Sequence, residues 1–200
     1  YQGVKNLMPV TINGNGSISG ITAGGLPSGI IQSSNMASGV IKLVNYAQTL
    51  KTDTAFFDGG ANVVSGDLIY LDYAAASSSN KLLIMSTLCI SVQNGANNQI
   101  YGYLYIGGSV SAAIGDASSN RARVSLGGET NYGDNNTIIN LTHNYLLSSP
   151  STSSTTYSYR FHHDNTSSDR ATYINRSHDD SDVTHRGRCT SSITIMEIAA

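Results

Sequence analysis

The sequence predicts an all-β chain, an antiparallel β-sandwich or jelly roll, and three observations predict it. Long apolar stretches do not recur at three- and four-residue spacing, and segments rich in Leu, Ala, Glu and Lys are missing, so nothing signals a helix. Short segments rich in Val, Ile, Tyr and Thr recur instead, parted by Gly, Asn, Ser and Asp. Several alternate with period two, as half-buried antiparallel strands do. Leu82, Ile84, Leu88, Ile90 and Val92 fall on one face of their segment. Tyr157, Tyr159 and Phe161 oppose Ser158, Arg160 and His162 in another.

Residues 1–40 stand apart. Val10-Thr11-Ile12-Asn13-Gly14-Asn15-Gly16-Ser17-Ile18-Ser19-Gly20-Ile21 alternates weakly and is dense in glycine. Such a segment buries too little apolar surface to order itself alone. It is expected to be an extended assembly arm or linker that orders against another copy, with Val10, Ile12, Ile18 and Ile21 as its contact residues. The sandwich is expected to occupy residues 41–200. Its strands are expected at Ile41–Ala47, Thr54–Asp58, Asp67–Tyr73, Leu82–Val92, Ile100–Ile106, Arg121–Leu126, Thr137–Leu147, Thr155–His163, Ala171–Asn175 and Ser191–Ile198. Turns at Asp58-Gly59-Gly60, Ser65-Gly66-Asp67, Gln93-Asn94-Gly95 and Gly127-Gly128 support the breaks. In the fifth strand Leu104 and Ile106 alternate with Tyr101, Tyr103 and Tyr105, which predicts a strand covered on both faces.

Only 12% of residues are charged, about half the usual fraction, so Ser, Thr, Asn and Gly must clothe the surface. Such surfaces suit proteins that work outside the cell. The net charge of −2, without a basic cluster, points away from nucleic acid. No apolar run approaches 18 residues, so no membrane insertion is expected. With Tyr1 rather than Met at its start, the chain is expected to be a fragment, a processed product or an incomplete read. Cys89 and Cys189 carry no spacing signal. The plain reading is two buried thiols; the alternative is a disulfide closing a long loop, which fits an oxidising exterior.

Ionisable residues gather late in the chain, from His162, His163 and Asp164 through Arg176, His178, Asp179 and Asp180 to His185, Arg186 and Arg188. A metal site would need neutral imidazoles and carboxylates converging. Adjacent His162 and His163 instead point to opposite faces of a strand, and no His pair has the spacing of a closed site. A polar loop set, paired locally or across subunits, is the better reading, and no metal or cofactor is expected. No serine lies in a Gly-x-Ser-x-Gly elbow, and no catalytic residues are assigned. The 12 tyrosines are expected mainly at the edge of the core and in subunit contacts, with a glycan-binding surface as the sharper alternative.

Gly16-Ser17-Ile18-Ser19-Gly20-Ile21-Thr22-Ala23-Gly24-Gly25-Leu26-Pro27-Ser28-Gly29 resembles a linker of marine phage tail-fibre and virion-fibre proteins. Ser149-Pro150-Ser151-Thr152 with Thr155-Thr156-Tyr157, then Tyr173-Ile174-Asn175-Arg176-Ser177, then Ser191 to Ile198, resemble the late strands of the C-terminal domain that follows such linkers. The resemblance implies a jelly-roll-like β-sandwich at the end of a fibre, without catalysis. The expected function is that of a structural fibre protein, a phage tail or virion fibre module, found in the virion or outside the cell. Its expected partners are copies of itself, as a trimer or a helical filament, and a host-surface glycan or receptor. One alternative is a self-polymerising extracellular filament whose arm adds a strand to the neighbouring sandwich. A carbohydrate-binding module is a second.

Overall fold

The computed structural model describes residues 11–12, 18–19, 41–59, 63–93, 99–130, 135–162 and 170–200. The chain divides into two units, Tyr1–Lys42 and Leu43–Ala200. In the first, β1 (Thr11–Ile12) pairs antiparallel with β2 (Ile18–Ser19), and Ile12 lies opposite Ile18. Val10 and Ile21, and the side chains of Ile12 and Ile18, lie outside the described residues. The expected arm contacts therefore do too.

The second unit is a β-sandwich with no helix among its described residues. Its strands are β3 (Leu43–Lys51), β4 (Ala55–Gly59), β5 (Ile69–Tyr73), β6 (Lys81–Val92), β7 (Gln99–Ile106), β8 (Ser109–Val110), β9 (Leu126–Glu129), β10 (Ile139–Ser148), β11 (Thr155–His162), β12 (Arg170–Ile174) and β13 (Ser191–Ile198). One sheet has six strands in the order β3-β13-β6-β12-β4, with β10 on the other side of β6. The other has five, ordered β5-β11-β7-β8, with β9 also on β7. All pairings are antiparallel.

The expected alternation places the core. Leu82, Ile84, Leu88, Ile90 and Val92 of β6 face inward and are buried. They meet Tyr157, Tyr159 and Phe161 of β11, with Ile100, Leu104, Ile193 and Ile195 around them. Burying each such side chain is worth roughly 1.5–3 kcal/mol.

β6 is long enough to take two strands along one edge. β13 covers Lys81 to Thr87, and β12 covers Ile90 to Val92. Cys89 sits in the gap, and side chains close it. The Ser191 hydroxyl accepts the Cys89 N–H at 2.9 Å, and the Asn175 N–H donates to the Cys89 carbonyl at 2.9 Å. Asn175 turns the chain out of β12 at φ 63°, a left-handed conformation that Asn tolerates better than most residues. Its buried amide donates to the carbonyls of Lys51 and Asp53 and accepts from Ser191. Cys89 and Cys189 are joined by a disulfide across the same junction, with Cα atoms 6.4 Å apart, so they are not the two free thiols of the plain reading.

Three elements differ from expectation. The strand placed at Arg121–Leu126 begins at Leu126 and runs to Glu129. Gly127-Gly128 is not its turn: Gly128 faces the core, where a Cβ would lie 2.7 Å from Leu141 Cδ2 and 2.9 Å from Ile139 Cδ1. β3 continues to Lys51 because Gln48 and Leu50 pair with Thr194 and Ser192. β8 arises because Gly107 and Gly108, at φ 58° and 82°, make the two-residue turn that reverses β7.

Candidate assembly surface

The outward residues of the six-stranded sheet follow from the same register. Tyr46, Met196, Leu83 and Leu146 lie side by side across four strands. Leu43 and Ile198 extend this apolar band at one end, beside Lys81. The next rows are Gln48, Thr194, Met85 and Asn144, and then Leu50, Ser192, Thr87 and Thr142. A shallow groove runs between them, lined by Met85, Thr87, Thr142, Asn144, Ser192 and Thr194. Lys81 is the one charge in these rows. Tyr46 is 65% exposed, Leu43 51% and Leu146 47%. A contiguous apolar band with almost no charge is the composition of an interface centre rather than of a solvated face.

The band ends at an open edge. Among the described residues β3 pairs only with β13. Proteins usually guard such an edge with charge, proline or a bulge. In β3 the guards stand at the ends. Lys51 pairs with Asp53 at 2.8 Å, and the pairing with β13 is irregular between Glu197 and Ile198. From Val44 to Leu50 there is neither charge nor proline. The Tyr46 N–H finds a local acceptor in the Asn45 side chain, at 2.9 Å.

Glu197 anchors β13 beneath this face. The carboxylate is buried and accepts from Tyr73 Oη at 2.7 Å, the Ala76 N–H at 2.9 Å, the Ser77 N–H at 3.4 Å and Asn80 Nδ2 at 2.5 Å. Burial pushes its pKa up, but the bonds from Asn80, Tyr73 and the two amides outweigh it and hold the pKa below the usual value. Burial, followed by the neighbouring carboxylate, pushes Tyr73 up strongly. Nothing in the sequence around Glu197 marks this role, because its donors lie more than a hundred residues away.

The late ionisable cluster is brought together, but as internal pairs. Arg186 bonds Asp179 at 2.6 Å, Arg188 bonds Asp180 at 2.7 Å, and Arg176 lies 4.2 Å over the Tyr173 ring. His178 Nδ1 meets the Asn135 amide oxygen at 2.9 Å. Burial outweighs the opposing charge of Asp179 and lowers the His178 pKa. His162 lies away from this loop on β11, edge-on to Tyr101 and Tyr103. His163, Asp164 and Asp169 lie outside the described residues. No family model matches this chain, and no curated protein matches it.

Proposed function

We propose that this chain is a non-catalytic structural module of an extracellular fibre, built from copies of itself. The observation that carries the reading is the apolar band, with uncharged rows beside it, across the outer side of β3, β13, β6 and β10, which among the described residues ends at the unpaired edge of β3. A face four strands wide with almost no charge is suited to the matching face of another sheet, and a second copy supplies one. The disulfide and the low charge favour an oxidising exterior. The resemblance of the linker and the late strands to phage fibre proteins favours a tail or virion fibre as the setting. Residues 1–40 would be the connector, and the chemistry would be binding and scaffolding.

The open edge of β3 favours a second reading, a filament in which the arm of one copy adds a strand to β3 of the next. Main-chain bonds would then supply affinity, and alternate side chains the register. Such a head-to-tail contact does not close. Sedimentation and negative-stain imaging of the purified chain test both. Closed trimers exclude the filament, indefinite fibres exclude the isolated tip, and a monomer at all concentrations overturns both. Tyr46→Lys with Leu146→Lys should abolish association without unfolding the sandwich, since both side chains are largely exposed.

A further inference from the structure

We propose that the five-stranded sheet carries a binding site for an acidic saccharide, centred on Tyr101 and Arg121. β7 turns Tyr101, Tyr103 and Tyr105 outward, each half-buried, opposite His162, Arg160 and Ser158 of β11. The neighbours hold these rings in place. The Arg160 guanidinium lies 4.1 Å over Tyr105 and is neutralised by Asp67 at 2.7 Å. The His162 ring stands edge-on to Tyr101 and Tyr103, with centroids 5.3 and 5.5 Å away. On the other side of Tyr101 stands Gly127, where even a Cβ would come within 3.8 Å of the ring.

Tyr101 therefore forms one wall of an open groove, and Ser119, Asn120, Arg121 and Ala122 form the other. Ser119 makes that wall at φ 47°, a strained conformation for serine, and the turn closes with the Arg121 N–H on the Ser118 carbonyl at 3.0 Å. Arg121 makes no ion pair among the described residues, whereas Arg160, Arg176, Arg186 and Arg188 all do. The groove thus sets a rigid aromatic wall against an amide and a guanidinium that has no acidic partner among the described residues. A pyranose offers the matching groups: C–H bonds for the ring, hydroxyls for Asn120, and a carboxylate or sulfate for Arg121. An apolar ligand would leave the guanidinium unused, and a simple anion would leave the tyrosine unused. This site lies on the sheet opposite the assembly face, and the inference does not rest on self-assembly.

The test is affinity electrophoresis and calorimetry at about 0.15 M salt, where screening suppresses loose ion exchange. The probes are polygalacturonate (carboxylated), dextran sulfate (sulfated) and dextran (neutral). One or both acidic polymers should bind and dextran should not, and the one that binds names the acid. Arg121→Ala and Tyr101→Ala should each weaken binding at least about tenfold, and Tyr101→Phe should retain it within about threefold. Arg188→Ala, the same charge change in the late loop and outside both candidate surfaces, should leave it unchanged. Arg121 is on an exposed turn, so its variant decides the matter even if Tyr101→Ala fails to fold. Absence of binding to both acidic polymers, equal binding to dextran, or binding that survives Arg121→Ala overturns the proposal.

Discussion

Replacing Glu197 is the sharpest test of the architecture, because one carboxylate ties β13 to the chain segment after β5. Glu197→Ala removes the acceptor for Tyr73, Ala76, Ser77 and Asn80 together. A hydrogen bond to a charged group contributes about 1.5–3 kcal/mol, and stranding buried partners of a charge costs about 3–5 kcal/mol in all. The bonds share one acceptor and do not add, so about 4 kcal/mol is expected. For a domain of this size that lowers Tm by roughly 8–16 °C. Glu197→Gln keeps one acceptor oxygen and can donate to the Tyr73 oxygen, so it should lose about half as much. The pH dependence isolates the charge. The folded pKa lies below the ordinary 4.5, so the unfolded chain binds the proton first as pH falls. The stabilisation is fully present above about pH 4.5 and is lost as pH falls through the folded value. Thermal and urea unfolding between pH 7 and 3 should therefore show a steeper acid loss in the parent than in Glu197→Gln. Equal stability of the two at pH 7, with superimposable pH profiles, would refute the reasoning.

Removing the disulfide with Cys89→Ala and Cys189→Ala frees a loop of sequence separation 100, which the chain-entropy model values at about 4.7 kcal/mol. Reductant should lower the Tm of the parent and leave that of the double variant unmoved. Tyr157 is buried with no partner for its hydroxyl among the described residues, so Tyr157→Phe should hold or raise stability by about 1 kcal/mol, and a marked loss in urea unfolding would reveal a hidden partner. His143 faces the core with Nδ1 2.8 Å from Tyr159 Oη, and burial lowers its pKa from 6.5. The unfolded chain protonates first, so stability should begin to fall below about pH 6.5, before Glu197 responds, and His143→Gln should flatten that part of the profile.

Much of this sandwich was legible because period-two alternation is a direct imprint of a sheet with one wet face. The inward sets of β6 and β11 could be read residue by residue, and the bounds of the late strand β13 could be read as well. The misplaced strand near Arg121 shows the limit. Gly127-Gly128 has the chemistry of a turn, and only the approach of Leu141 and Ile139 from β10 makes Gly128 a strand residue. Local sequence carries no record of what will press against it. The same holds for the candidate surfaces. Alternation along β6 puts Leu83 on the outer face, but Leu83 and Met196 become a band only when the register lines them up with Tyr46 and Leu146. Arg121 read as the first residue of a strand, and its place opposite Tyr101 depends on the turn at Ser119.

The two candidate surfaces lie on opposite sheets of one core, and that separates their functions physically. A packed interior couples two faces only if some element between them has two discrete arrangements. Here the strands that carry the faces are fixed from within. β13 is held by Glu197, the β12–β13 junction by Asn175, Ser191 and the disulfide, and β11 by Tyr157, Tyr159 and Phe161. Glu197, Asn175, Ser191, Cys89 and the three rings of β11 are all buried. Association through the six-stranded sheet should therefore leave the groove at Tyr101 unchanged, and each copy in an assembly should present its own site. Repetition then matters more than the single contact. A weak site repeated along a fibre binds a polymeric ligand far more tightly than one copy does, provided the spacing lets two sites engage the same chain. Binding that sharpens with assembly but keeps the same dependence on Arg121 would be the signature of that arrangement.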